Sequence, residues 1–505
     1  MGTERQRRIF ESLISRIPVL GRYTGALRQH RKKVATILVL IAHLAGALTS
    51  VRAVMETRTA QGAIAWVISL NTFPYGAVPA YWVFGRSRFE GYSIARRQDL
   101  IDTMPVASNL MAELKSKNLA VDGLSNQAVL LERLAKLPFT GYNEVDLLID
   151  GEQTFDAIFE SIDRAEDYIL VQFYIVRNDE LGKKLKAKLE EKARAGVRVY
   201  MLYDEIGSHQ LPRSYRRELR DAGVEIYPFH STKGSANRFQ LNFRNHRKIV
   251  VVDGHEAFVG GHNVGDEYLG VAAGMPEWRD THVRLRGPVV QSVQIPFAED
   301  LHWASGKTLI DINWSPKPAK SGNNAAALCL ATGPADTLES CTLFFLNVIN
   351  SAQDRLWIAS PYFVPDEQVV SALQLAALRG VDVRILIPEK ADSQLVWLSS
   401  FSYLNQTEKV GVKVYRYQPG FLHQKVTLVD DQFASVGTAN FDNRSFRLNF
   451  EITIAVKDKD FASRVEAMLL DDFSESELAT VDDYNSRSYL FKFLVKSSRL
   501  MAPVQ

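Results

Sequence analysis

The sequence predicts an α/β protein of two sandwich halves forming one pseudo-symmetric unit, preceded by two N-terminal transmembrane helices. Three observations predict this. Two long apolar runs lie near the start, the chain then runs twice through one alternation of strand-like and helix-like segments, and a His-x-Lys constellation recurs at the same spacing in each half.

The 505 residues are 46% hydrophobic and 23% charged, which suits a chain with real cores and excludes global disorder. The formal net charge is only +2, yet residues 1–33 hold Arg5, Arg7, Arg8, Arg16, Arg22, Arg28, Arg31, Lys32 and Lys33 against Glu4 and Glu11, leaving the remainder at about −5. A nucleic-acid binder would spread positive charge over its folded domains, whereas this excess sits before the first apolar run, as a membrane topology signal does. Cys329 and Cys341 offer neither a disulfide framework nor a metal spacing, and read as two buried thiols of a reducing compartment.

Val34 to Val51 is apolar apart from His43, and Gly62 to Gly85 is a second run long enough to cross a bilayer, although Asn71, Pro74 and Pro79 argue against a straight helix there. The run begins too late, and is followed too soon by the second, for a cleaved signal peptide. Arg52 and Arg58 lie between the runs, and Arg86, Arg88, Arg96 and Arg97 follow them, so both ends are expected on the cytoplasmic side.

In the first half Tyr168 to Ile175 reads as a buried strand, residues 180–194 as a charged helix and Gly196 to Leu202 as the next strand. The second half repeats the plan with Leu356 to Phe363, a helix around 366–379 and Gly380 to Ile387. Short strands recur at 223–227 and 411–415, which argues for parallel or mixed sheets in each half. The expected organisation is a basic segment 1–33, two spans in 34–85, a connecting segment 86–140, a first half 141–315, a Pro/Ser/Lys/Asn-rich linker 316–325 and a second half 326–505.

The first half carries His246, Lys248, Asp253, the pair Gly260–Gly261 and Asn263; the second carries His423, Lys425, Asp430, the pair Gly437–Thr438 and Asn440. In both, lysine follows histidine by two residues, aspartate by seven and asparagine by seventeen. Residues i and i+2 of an extended strand share a face, so histidine and lysine can reach one ligand. The small pairs permit close backbone approach before each asparagine, whose amide can donate to a phosphate oxygen. Two imidazoles, two ammonium groups and two amides suit a phosphodiester, with one neutral histidine attacking phosphorus and the other protonating the leaving alkoxide. Asp253 and Asp430 end strands before turns, where aspartate commonly binds backbone amides, so a structural part is equally open to them.

This duplicated pattern resembles the phospholipase D superfamily. The wording around it, Asn245 to Gly254, Gly260 to Tyr268, Trp278 to His282, Pro361 to Pro365, Gln418 to Lys425 and Ser435 to Asp442, resembles bacterial cardiolipin synthases over essentially the whole chain. The resemblance implies phosphatidyl transfer between two phosphatidylglycerol molecules, giving cardiolipin and glycerol through a phosphohistidine, with no metal or other cofactor. It implies His246 as nucleophile and His423 as acid then base, a choice that the symmetry of the motifs leaves open. It also implies a carboxylate orienting each histidine, for which Glu451 in the second half and Asp280 in the first fit. Departures are Gly-Gly where the superfamily often has Gly-Ser, and His262 before Asn263.

Expected partners are membrane phospholipids and the bilayer, not nucleic acid, and the expected location is a bacterial inner membrane with the catalytic region cytoplasmic. Lys233, Arg238 and Arg244 could meet anionic headgroups, and Tyr489 to Lys496 mixes apolar and basic residues as an interfacial helix would. A hydrolase releasing phosphatidic acid, a synthase with another donor or polyol acceptor, a nuclease on the same framework and an inactive scaffold are the competing readings; the apolar runs count against the nuclease, and two intact motifs against the scaffold.

Overall fold

The computed structural model describes residues 18–85, 89, 91–93, 108–123, 125–230, 242–271 and 277–505. The basic residues up to Arg16, the group Arg86, Arg88, Arg96 and Arg97, and Lys233 and Arg238 lie outside the described residues. The chain divides into an N-terminal unit ending by Ser87 and a larger unit that carries both His-x-Lys motifs.

In the N-terminal unit, α1 (Pro18–Glu56) contains a 27-residue apolar stretch, His30–Glu56, that rises about 40 Å at 1.5 Å per residue and can cross a bilayer. The second apolar run differs from the single span expected: it forms α2 (Ala60–Thr72) and α3 (Pro74–Phe84), broken at Phe73. Pro74 has no N–H to donate and disfavours the helical conformation at the residue before it, and Phe73 accordingly takes φ −136° and ψ 61°. Among the described residues one helix is therefore long and apolar enough to span by itself. The α1–α2 contact is close because Gly46 faces the carbonyl of Leu70, where a Cβ would lie 2.1 Å from the oxygen. Beside it the Asn71 amide donates to Ser50 Oγ and to Val67 O, both at 2.7 Å, the small-residue and polar contacts that hold apolar helices together.

The larger unit is built on one continuous sheet. Its first seven main strands are β1 (Thr140–Ile149), β2 (Tyr168–Phe173), β3 (Arg198–Asp204), β4 (Glu225–Phe229), β5 (Ile249–Val252), β6 (Glu256–Gly260) and β7 (Thr281–Arg286). The next seven are β8 (Ala325–Thr332), β9 (Arg355–Ala359), β10 (Asp382–Pro388), β11 (Lys413–Tyr417), β12 (Val426–Val429), β13 (Phe433–Gly437) and β14 (Asn449–Lys457), and β15 (Ser476–Ala479) is added at one edge. The order is β15-β11-β10-β9-β12-β13-β14-β8-β1-β7-β6-β5-β2-β3-β4, so the second set of seven follows the first in mirror sequence about the antiparallel β1–β8 seam. In both sets three strands run parallel, β2-β3-β4 and β9-β10-β11, and the strand after the His-x-Lys motif, β5 or β12, pairs antiparallel with the first of them.

Alternation along the strands divides the core. Ile169 and Val171 pack with Ile158, Ile162, Leu185 and Leu189 from helices Asp150–Asp163 and Glu180–Arg194. Leu170 points to the opposite face, into a core shared with Val293 and Phe297 of helix Val289–Ser305 and with Val436, Ile454 and Val465 of the second half. That common core fixes the distance between the two motifs.

Candidate active site

His246 and His423 each stand in extended chain three residues before β5 or β12, outside the sheet ladder. Each is fixed by the opposite half: the His246 N–H donates to Phe450 O at 2.9 Å, and the His423 N–H to Arg279 O at 2.7 Å. The acceptors immediately precede Glu451 and Asp280. Those carboxylates take the ring nitrogens, His246 Nδ1 lying 2.9 Å from Glu451 Oε2 and His423 Nδ1 2.7 Å from Asp280 Oδ2. The orienting carboxylate thus comes from the other half in both cases, a crossing that sequence order does not reveal. Both carboxylates are fully buried, and the imidazoles keep only 8% and 7% exposure.

Lys248 and Lys425 fold back so that each ammonium donates to the carbonyl of its own motif histidine, Lys248 Nζ to His246 O at 2.8 Å and Lys425 Nζ to His423 O. Burial pulls both down from the ordinary lysine range, Lys425 to about 8, while Asp280 and Glu451 oppose that shift. Burial also lowers His246 to about 4 against the pull of Glu451, and lowers His423 well below the ordinary histidine range, with both lysines adding to the effect. Both rings are therefore neutral near pH 7, while Glu451, held down by His246 and Lys248 despite its burial, stays ionised.

Asn263 turns its Oδ1 to the Ile175 N–H at 3.0 Å and donates from Nδ2 to Tyr268 Oη at 3.0 Å. Asn440 keeps a buried Oδ1 with no hydrogen-bond partner among the described residues. Tyr174 stands edge-on to His246, ring centres 5.0 Å apart, and Trp278 lies 5.0 Å from His423. These rings shield the imidazole faces.

Asp253 and Asp430 are not with the histidines. Asp253, at φ 51°, accepts from the backbone N–H groups of Glu166, Asp167 and Tyr168, and Asp430, at φ 49°, from those of Gln353, Asp354 and Arg355. Each carboxylate clamps the turn entering β2 or β9, the structural one of the two parts open to strand-end aspartates.

The Gly-Gly departure has a steric cause. A Cβ on Gly261 would meet Asp280 Oδ1 at 1.9 Å, whereas Thr438 at the matching position donates its hydroxyl to Glu451 Oε2 at 2.6 Å. His262 packs with His282, Nδ1 to Nδ1 3.2 Å, and burial lowers His262 to about 4. In the second half Ala439 and Thr453 hold the corresponding positions.

Sequence reasoning missed a supporting layer. Asp204 binds the Asn245 N–H at 2.9 Å, next to His246. Asp300, fully buried, accepts from Asn245 Nδ2, Arg247 Nη1, Gln172 Nε2 and Tyr92 Oη at 2.7–2.9 Å. Asp472 likewise holds Arg279 and Gln424 beside His423. The available signal was a carboxylate on the apolar face of helices Val289–Ser305 and Lys459–Ser474.

Paired His-x-Lys sets on mirrored strands, each histidine bound to a buried carboxylate, form the kind of site that the resemblance to the phospholipase D superfamily implies. The family described as "Cardiolipin synthase, PLD-like domain" matches residues 158–272 and 345–472. Cardiolipin synthase A of Pseudomonas putida is 48% identical over 471 residues, covering 92% of this chain and 97% of that protein. The Pseudomonas fluorescens protein of that name is 48% identical over 468 residues, covering 92% and 96%. Among solved structures, phosphatidylserine synthase of Haemophilus influenzae superposes with a TM-score of 0.54 at 15% identity, over 75% of this chain and 100% of that one, a likeness of fold. The chain belongs to the cardiolipin synthase family.

Proposed function

We propose that the chain transfers a phosphatidyl group from one phosphatidylglycerol to the primary hydroxyl of another, giving cardiolipin and glycerol, with the two halves acting as one pseudo-symmetric catalytic unit. The crossed pairs His246–Glu451 and His423–Asp280 carry this reading. His246 is the nucleophile. Its Nδ1–H is held by Glu451, so the lone pair on Nε2 attacks phosphorus, the bond to the first glycerol breaks, and the imidazolium formed is balanced by the carboxylate. His423 gives its Nε2 proton to the departing glycerol oxygen and then takes the proton of the acceptor hydroxyl as that oxygen displaces His246. Both rings are neutral in the free site, so His423 takes its Nε2 proton from solvent as substrate binds: an anionic phosphodiester between the rings raises both histidines, and the proton gained is the one His423 passes to the departing oxygen. Lys248, Lys425, Asn263 and Asn440 are assigned to the non-bridging oxygens, where charge grows in the transition state.

The membrane reading is α1 as one span and α2–α3 together as a second, broken one, in a bacterial inner membrane with both ends cytoplasmic. Arginines before α1 and after α3 support it. The test is turnover of phosphatidylglycerol alone in detergent micelles with EDTA, beside His246→Ala and His423→Ala. Equal cardiolipin and glycerol, lost in both variants, supports the synthase; phosphatidic acid as sole lipid product makes the chain a hydrolase.

A further inference from the structure

The helix Tyr489–Arg499 has three faces. Phe491 and Val495 turn inward, Phe491 against Trp397 and Phe401 at ring distances of 5.9 and 5.3 Å. A second face and the turn after it expose Tyr489, Leu490, Phe493, Leu494, Leu500 and Met501, between 43% and 86% accessible. At 100° per residue these six fall within one stripe of about 140°. Cations lie beside it: Lys492, Lys496 and Arg499 follow on the adjacent face, while Arg487, just before the helix, holds its guanidinium over the inward-turned Phe491 ring at 5.5 Å. Soluble surfaces rarely present so many large apolar side chains side by side.

We infer that this face lies in the headgroup region of an anionic bilayer, apolar stripe towards the acyl chains and flanking cations at the lipid phosphates. The pattern, an apolar stripe edged by lysine and arginine, is that of a helix lying in the plane of a membrane. Charge complementarity selects anionic lipid over neutral, since each cation near such a surface adds attraction that a zwitterionic surface lacks. The helix is also tied to the site. Its carbonyl at Ser498 accepts from Gln505 Nε2 at 3.0 Å, and Gln505 O accepts from the Arg444 N–H at 2.6 Å, four residues beyond Asn440. Seating this helix in the interface would therefore hold the motif segment close to where lipid enters.

The experiment uses the full chain in vesicles with phosphatidylglycerol in phosphatidylcholine, and in vesicles of phosphatidylcholine alone. An environment-sensitive fluorophore is placed on Phe493→Cys and, as control, on the exposed Glu160→Cys; Cys329 and Cys341 are buried and escape labelling. Emission at position 493 is expected to shift to the blue and to be quenched by spin-labelled acyl chains, more with anionic lipid, while position 160 does not respond. The double variant Leu490→Ser, Phe493→Ser is expected to lose at least about tenfold in turnover of bilayer substrate and to keep its rate on monomeric short-chain phosphatidylglycerol. A probe at 493 that stays in water overturns the inference. So does a blue shift in lipid-free detergent that grows with protein concentration, which would make the face a contact between copies. The fluorescence arm needs no catalysis, so its result stands apart from that of the transfer reaction.

Discussion

Replacing Glu451 by Gln removes one charge from the centre of the site and leaves shape nearly intact. Glu451 is fully buried in β14 and accepts from His246 Nδ1, Thr438 Oγ1 and Asn449 Nδ2. An amide can still accept from two of these donors, so β14 keeps its register. It cannot balance the imidazolium that the proposed attack of Nε2 on phosphorus would form. Removing one partner of a buried ion pair costs about 3–5 kcal/mol, and at about 1.4 kcal/mol per decade this becomes a loss of about 10²–10⁴ in kcat. KM should move little, because the proposal gives the substrate phosphate to the lysines and amides. The assay is steady-state cardiolipin formation in mixed micelles, with a thermal melt to establish that the variant is folded. A folded Glu451→Gln enzyme with kcat within about threefold of the parent would refute the pairing argument.

Other consequences follow from the same geometry. Gly261→Ala sets a methyl group against the Asp280 carboxylate and should displace it from His423, reducing kcat by about 10²; full activity would mean that His423 does not depend on Asp280. Asp253→Ala removes acceptors for three backbone N–H groups and should lower stability by about 1–3 kcal/mol in denaturant melts, with unchanged activity per folded molecule; a selective fall in kcat would restore a catalytic part for it. On the pH axis, a histidine whose pKa is lowered stays deprotonated as acid is added, so attack by His246 should persist down to about 4, while Lys425 loses its charge above about 8. Loss of the Lys425 charge should add an alkaline limb to the kcat/KM profile that Lys425→Arg carries upward; an acid limb at the ordinary 6.5 would contradict the neutral, buried nucleophile.

Much of this is legible in the sequence alone. The spacing of His246, Lys248, Asp253 and Asn263 repeated at His423, Lys425, Asp430 and Asn440, and the buried strands around 168–173 and 355–359 were visible as β-branched and aromatic runs. Spacing cannot tell a carboxylate that touches substrate from one that caps a turn, and only the positive φ of Asp253 and Asp430 and their three amide partners separate the two. Nor can it show contacts between positions 53 or 205 residues apart, which is why the Arg247–Asp300 contact and the pairing of His246 with Glu451 emerge only in the folded chain. Composition counts the run 62–85 as one span, Asn71, Pro74 and Pro79 argue against a straight helix in it, and the backbone breaks at Phe73, before Pro74.

The covalent intermediate on His246 is the claim on which the mechanism stands. The most direct measurement is peptide mass analysis of His423→Ala enzyme mixed with phosphatidylglycerol and quenched under alkaline conditions, where a phosphohistidine bond survives. Without the acid–base partner the intermediate should form slowly and persist, so a phosphatidyl adduct is expected on the peptide containing His246 and absent from the His246→Ala control. An adduct on His423 in His246→Ala enzyme, with none on His246 in the reciprocal variant, would reverse the assignment; turnover in the parent enzyme with no trappable adduct in either variant would contradict a covalent route.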